Sequence, residues 1–160
     1  MKKKQIVAAL ILLPISFWGY RMAKYLLTDK DNEIDLMART LYGEARGEGD
    51  QGMQAVANVI MNRVNAGKWY GKTVEEVVLK PKQFSCWNES DPNREKIVQV
   101  TASNPTFLRA LAISKGAYEG TLDDITRGAT HYHYYQITPI WADKMEPTVR
   151  IGNHIFYKEV

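Results

Sequence analysis

The stretch Leu36 to Val64, LMARTLYGEARGEGDQGMQAVANVIMNRV, constrains this chain more than any other. It reads as two amphipathic helices joined by a glycine-punctuated turn, with a glutamate where the first helix runs out. On a helix of 3.6 residues per turn, Ile34, Met37 and Leu41 share one face, flanked by Ala38 and Ala45. Asp35, Arg39, Tyr42 and Arg46 fall on the opposite side. Glu44 comes three residues after Leu41 and seven after Met37, so it sits among the apolar residues. An ionised carboxylate facing a core is costly unless it is paired or lines a cleft. That conflict between residue type and position singles out Glu44.

The second helix follows Gly47 and Gly49, with Asp50 as its expected N-cap. Met53, Val56, Ala57, Ile60 and Val64 form its apolar face, Asn58 and Asn62 lie on the far side, and Asn65-Ala66-Gly67 ends it. Before the first helix, Thr28 to Asn32 reads as a short polar linker, so that helix is expected over Glu33 to Ala45. Thr73 with Glu76 forms a capping box for a short helix that stops before Pro81. The segment KQFSCWNESDPN reads as a loop. Asn104 caps a further helix with Pro105 at its first position; Phe107, Leu111 and Tyr118 lie along one stripe, and Gly120 ends it. Ala129–Tyr135 and Ile151–Lys158 are rich in aromatic and β-branched residues, as strands are, and Pro139 and Pro147 keep the connection between them loop-like. The expected fold class is α+β, mainly helical, with a small antiparallel sheet.

Charge is divided unevenly. Residues 1–30 carry a net +5, and the remaining 130 residues a net −2. The folded part is therefore not basic, which argues against nucleic acid as a partner. Lys2–Lys4 precede an uncharged 15-residue run, Ile6 to Tyr20, with Pro14 inside it. A spanning helix needs about 20 apolar residues; extension to Leu27 supplies the length but brings in Arg21 and Lys24, which can snorkel. No small-x-small cleavage site follows. The expectation is a retained N-terminal hydrophobic anchor helix, with residues 1–30 forming anchor and linker and residues 31–160 the functional domain. Positive-inside logic puts Lys2–Lys4 in the cytoplasm and the domain outside, either anchored in the inner membrane or exported, facing the periplasm and cell wall. The chain is expected to be a monomer.

A carboxyl group in partly apolar surroundings can keep its proton near neutral pH, which a general acid acting on a glycosidic bond requires. The competing reading is that Arg39, Arg46 or Arg63 neutralises Glu44 in a buried pair. Glu48 lies one turn further on and would share its face if the helix continued; the glycines on either side of it favour a turn or capping role. Asp123-Asp124 reads as a solvated turn. The loop Gln83-Phe84-Ser85-Cys86-Trp87-Asn88 can line a sugar cleft, although Phe84 and Trp87 can equally be core. Cys86 as nucleophile lacks an adjacent base. His131 and His133 on one strand, with His154 on another, could hold a zinc ion, although no HExxH is present.

YGEARGE followed by AVANVIMNRV, together with QFS and the C-terminal GATHYHYY, Trp141 and IGNHIFYK, resembles the SleB-type cell-wall hydrolases, the spore-cortex-lytic and phage-lysin relatives. The resemblance runs from about Glu33 to Lys158 with the blocks in order. It implies a lysozyme-like, transglycosylase-like helical domain that cleaves the glycan strands of peptidoglycan, with no cofactor and no metal. The catalytic glutamate it implies is the first of the GEARGE block, Glu44. It also implies a lytic transglycosylase mechanism in which one carboxyl group protonates the leaving oxygen and then deprotonates the muramyl 6-hydroxyl, closing a 1,6-anhydro ring. A plain muramidase would need a second group, and Glu48 is the nearby candidate. The substrate-binding residues expected are Glu48, Gln83, Ser85, His131, Tyr132 and Trp141. A short anchored catalytic domain fits a phage endolysin, with a small bacterial envelope enzyme as the other setting. The remaining alternatives are a zinc amidase using the three histidines and a non-catalytic wall-binding module.

Overall fold

A computed structural model describes residues 28–160. The expected membrane anchor lies outside the described residues. Among those described, no helix is long and apolar enough to cross a membrane.

Helix α1 spans Asp29–Ala45. The supposed linker is its first turn. Thr28 is the N-cap, its hydroxyl accepting from the Asp31 N–H, while the Asp31 carboxylate bonds back to the Thr28 backbone. Asp29 and Asp31 also suit the positive end of the helix dipole. Helix α2 spans Gly49–Ala66, and Gly67 closes it at φ +64°. Glu48, not Asp50, occupies its N-cap position; Asp50 lies in the first turn and pairs with Arg109 at 3.0 Å. Helix α3, Val74–Val78, starts at Thr73 as expected, but the Glu76 carboxylate reaches the Lys72 N–H instead of completing the box.

The expected loop after Pro81 contains a 3-10 turn, Ser85–Trp87, and a helix α4, Asn93–Gln99, follows. Its one fully buried side chain, Ile97, leaves too little periodicity to read from sequence. Helix α5, Pro105–Tyr118, begins as expected, with the Asn104 side chain accepting from the Thr106 and Phe107 N–H groups.

Three antiparallel strands follow: β1 (His131–Tyr134), β2 (Glu146–Ile151) and β3 (His154–Lys158), in the order β1-β3-β2. The connection expected to be loop-like is partly β2. Pro147 is tolerated because β2 is an edge strand, and the pairing slips between Pro147 and Val149.

Helix α1 packs against α2, α3, α4 and α5 around Met37, Leu41, Val56, Ile60, Ile97 and Phe107. Helix α2 is buried on two sides. Met53, Val56, Ala57 and Ile60 face this core, while Ala55 and Val59 meet Ala129 and Phe156 beneath the sheet. The "far side" of α2 is covered as well. Asn58 accepts from the Ile125 N–H, and Asn62 donates to Asp124, Thr126 and the Ala129 carbonyl. Asp124 is exposed, as expected, but its carboxylate is engaged by hydrogen bonds. Burial pushes its carboxyl upward, but hydrogen bonds from Thr126, Asn62 and Gly128 hold it below the usual range. Arg39, assigned to the polar face, is 8% exposed and donates to the Ile97, Val98 and Val100 carbonyls, so it closes α4 against α1.

Candidate active site

Glu44 is half-buried near the end of α1, between the Ser85–Trp87 turn and strand β1. Its Oε1 accepts from the Cys86 backbone N–H at 3.2 Å, and its Oε2 from the Tyr132 hydroxyl at 3.2 Å. Gly43 makes the first contact possible. A Cβ there would lie 2.7 Å from the Cys86 Cβ and 2.9 Å from its Sγ, so any side chain would push the turn away. A mid-helix glycine costs about 1 kcal/mol relative to alanine; here it admits the turn that holds the carboxyl group.

None of the three arginines neutralises Glu44. Arg39 pairs with Asp35 at 2.7 Å. Arg46 bonds the Tyr42 and Gly43 carbonyls and Asn93. Arg63 donates to the Thr130 carbonyl and to Gln83 Oε1, with its guanidinium over the Tyr70 and Phe84 rings. Cys86 is buried, and burial together with the nearby Glu44 pushes its thiol up, so it is no nucleophile.

Glu48 does not join Glu44. Its carboxylate accepts from the Asn153 N–H at 3.0 Å and the Asn153 Nδ2 at 2.9 Å, which holds it below the usual carboxylate range, side-chain bond first. It caps no N–H of α2. Gly152, at φ +55°, leaves room for it: a Cβ there would lie within 2.4 Å of Oε2. Glu48 therefore ties the start of α2 to the β2–β3 turn.

The other expected substrate residues divide across the sheet. Tyr132 shares a face with Phe156 and His154, toward Glu44. Burial, and then the Glu44 charge, push its phenol well up, so it stays a neutral hydroxyl. His131 and His133 alternate with it on β1 and point the other way. There they meet Trp141 at 5.3 and 5.7 Å, and His133 stacks on Tyr157. His131 and Trp141 thus belong to an aromatic cluster on the face opposite Tyr132. Gln83 is engaged with Arg63 and the Tyr70 carbonyl, and Ser85 is exposed on the 3-10 turn. Strand register also separates the histidines. His154 faces Tyr132, whereas His131 and His133 face Trp141, so the three cannot converge on one zinc ion.

Sequence reasoning missed three supports of this site. A backbone N–H, such as that of Cys86, carries no mark in sequence. Gly43 did carry one, as a glycine inside a helical pattern. Asn153 follows Gly152 between two strands, a turn signal whose side-chain role is set only by the distant Glu48.

Two solved structures are similar to this chain over most of its length. The catalytic domain of the Bacillus cereus SleB protein is 34% identical, with a TM-score of 0.64, covering 79% of this chain and 90% of that one. The catalytic domain of a germination-specific lytic transglycosylase SleB from Bacillus anthracis is 32% identical, with a TM-score of 0.65, covering 82% and 97%. The fold is that of these catalytic domains. The cell wall hydrolase family model matches residues 47–157, beginning just after Glu44, and the chain belongs to that family. Among curated relatives, the spore cortex-lytic enzyme of Oceanobacillus iheyensis is 42% identical over 134 residues, 79% of this chain and 42% of that protein. The spore cortex-lytic enzyme of Halalkalibacterium halodurans is 33% identical over 127 residues, again 79% of this chain and 34% of that protein. The chain thus spans less than half the length of these relatives.

Proposed function

We propose that this chain cleaves the MurNAc–GlcNAc bonds of peptidoglycan strands as a lytic transglycosylase, with Glu44 acting first as acid and then as base. One observation carries the reading: a half-buried carboxyl group with a donor on each oxygen, no cation in ion-pair contact with it among the described residues, and the neighbouring Glu48 committed elsewhere. A backbone N–H only donates, so Oε1 is already an acceptor, and we assign the reacting proton to Oε2. A tyrosine hydroxyl both donates and accepts. Tyr132 can therefore accept from Oε2–H in the acid form and donate to it in the carboxylate form.

In the first step Oε2–H protonates the glycosidic oxygen as the bond from C1 to that oxygen breaks. In the second, the carboxylate takes the proton of the muramyl 6-hydroxyl as its oxygen bonds to C1, and Glu44 is protonated again. No second carboxylate and no activated water are needed. A muramidase would require Glu48 to activate water, and its carboxylate is held by Asn153. The Bacillus anthracis relative carries the transglycosylase description, and other relatives act on spore cortex by name. Peptidoglycan is the substrate class we infer. The N-terminal segment, residues 1–27, is proposed to anchor or export the catalytic domain, which begins with the Thr28 cap of α1, toward the cell wall, as in an endolysin or a small envelope enzyme.

Mass spectrometry of products from purified peptidoglycan tests the mechanism. Anhydro-muramyl ends, lighter by one water than the hydrated sugar, are expected. Hydrated ends would make the enzyme a muramidase, and free stem peptides an amidase.

A further inference from the structure

His154 is the first residue of β3, directly after the Gly152–Asn153 turn. Its ring lies on the Glu44 side of the sheet, edge-on to Tyr132 at 5.2 Å and flanked by Tyr134 at 6.4 Å. Tyr132 in turn bonds Glu44. Among the described residues, neither ring nitrogen has a hydrogen-bond partner, and neither belongs to the fully buried unsatisfied atoms, so both open to solvent. That is unusual beside its neighbours. His131 bonds Thr130, and His133 bonds both the Tyr134 carbonyl and the Tyr157 hydroxyl. Burial holds the His154 imidazole below its usual range, against the pull of the Glu48 and Glu44 charges. A neutral imidazole offers one donor and one acceptor on a rigid ring, which suits the hydroxyl and acetamido groups of an amino sugar.

We propose that His154 is a substrate-contacting residue of the Glu44 site, binding the glycan strand through its free ring nitrogens, and that Glu48 positions it through the Gly152–Asn153 turn. Glu48 holds both the backbone and the side chain of Asn153, the residue next to His154. The two carboxylates then have complementary duties at one site: Glu44 reacts, and Glu48 fixes the turn that presents the sugar contact.

The proposal rests on the glycan-cleaving reading, and its test separates the two. His154→Phe keeps the ring packed against Tyr132 and removes the nitrogens. The expected result on purified peptidoglycan is an unchanged melting temperature with kcat/KM lowered about tenfold or more, mainly through KM. An unchanged kcat/KM overturns the proposal. A second readout covers a variant that fails to fold. In Glu44→Gln, the imidazole NMR signal of His154 should shift on titration with a GlcNAc–MurNAc tetrasaccharide, while that of His131 should not. No His154 shift overturns the proposal. If the wild-type chain releases no sugar product, the glycan-cleaving reading fails, and the titration alone decides whether His154 meets a glycan.

Discussion

Glu44 and Glu48 lie one helical turn apart in sequence, at the end of α1 and the start of α2, yet the structure gives them opposite circumstances. Glu48 sits where the chain has left the helix, and both donors of Asn153 reach it, at 2.9 and 3.0 Å. Its charge is fixed, and its bonds join two distant parts of the chain. Glu44 sits inside the last turn of α1, where two longer contacts of 3.2 Å hold it. Each of the two acids has one donor on each oxygen, so bond count does not separate them; the partners do, because a tyrosine hydroxyl can accept as well as donate, whereas the N–H groups of Asn153 only donate. The difference teaches that side-chain type does not decide which acid reacts. What decides is whether the groups that hold the carboxylate can let a proton come and go, as a phenol hydroxyl can and an asparagine N–H cannot.

Glu44→Gln is the sharpest way to break the comparison. Glutamine can still accept from the Cys86 N–H through its oxygen and donate to the Tyr132 hydroxyl through its NH2, but it cannot deliver a proton. Turbidity loss on purified peptidoglycan should fall about 10³-fold, within the range general acid–base catalysis supplies, with the melting temperature unchanged. Retained activity would remove Glu44 from the chemistry. Gly43→Ala attacks the same site from behind. The new methyl group meets the Cys86 Cβ at 2.7 Å, and overpacking of this kind costs about 1–3 kcal/mol, despite alanine's better helix propensity. Thermal unfolding should register that loss. Activity measured well below the melting temperature should fall further, because displacing the turn also displaces the donor to Oε1.

How much of this was legible in sequence depends on what carries each feature. Helices α1, α2 and α5 were readable because each has several buried residues at helical spacing or an explicit cap, as in Asn104-Pro105. Helix α4 and strand β2 were not: one buried isoleucine gives no period, and Pro147 argues against a strand until its edge position is known. Glu44 was legible because it violates its helix's own pattern. Arg39 violated nothing, yet it is buried, because a long side chain can carry its charge to backbone carbonyls on a neighbouring element. Tyr132 and its histidine neighbours could be placed on alternate faces by counting. Which face meets Glu44 depends on β3 packing over Ala55 and Val59 of α2, a long-range fact with no local signature.

Tyr132→Phe probes one contact of the open carboxyl group. It removes the hydroxyl from Oε2 and leaves the ring on Phe156. A single hydrogen bond of this kind contributes about 0.5–1.5 kcal/mol, so activity should drop up to about tenfold with little change in stability. An effect as large as that of Glu44→Gln would mean that Tyr132 itself transfers the proton.

Glu48→Gln should have the smallest effect at neutral pH and the most informative pH dependence. The amide oxygen can accept from only one of the two Asn153 donors, its NH2 faces the other, and the charge is gone, so a stability loss of roughly 1 kcal/mol is expected for a partly exposed group. The sign follows from the direction of its shift. The Glu48 carboxyl is held below its ordinary value of 4.5 by Asn153, so the folded state binds its proton less readily than the unfolded chain. The stabilisation is fully present above that ordinary value and disappears as pH falls through the lower, folded-state value. Denaturation midpoints of wild type and Glu48→Gln should therefore differ at pH 7 and converge in acid. If Glu48 instead served as the water-activating base, the variant would lose activity by orders of magnitude while its unfolding curve stayed put. A tie between α2 and the β2–β3 turn predicts the reverse: a modest shift in unfolding, with an activity change no larger than that of His154→Phe, because Glu48 reaches the substrate only through the residue it positions.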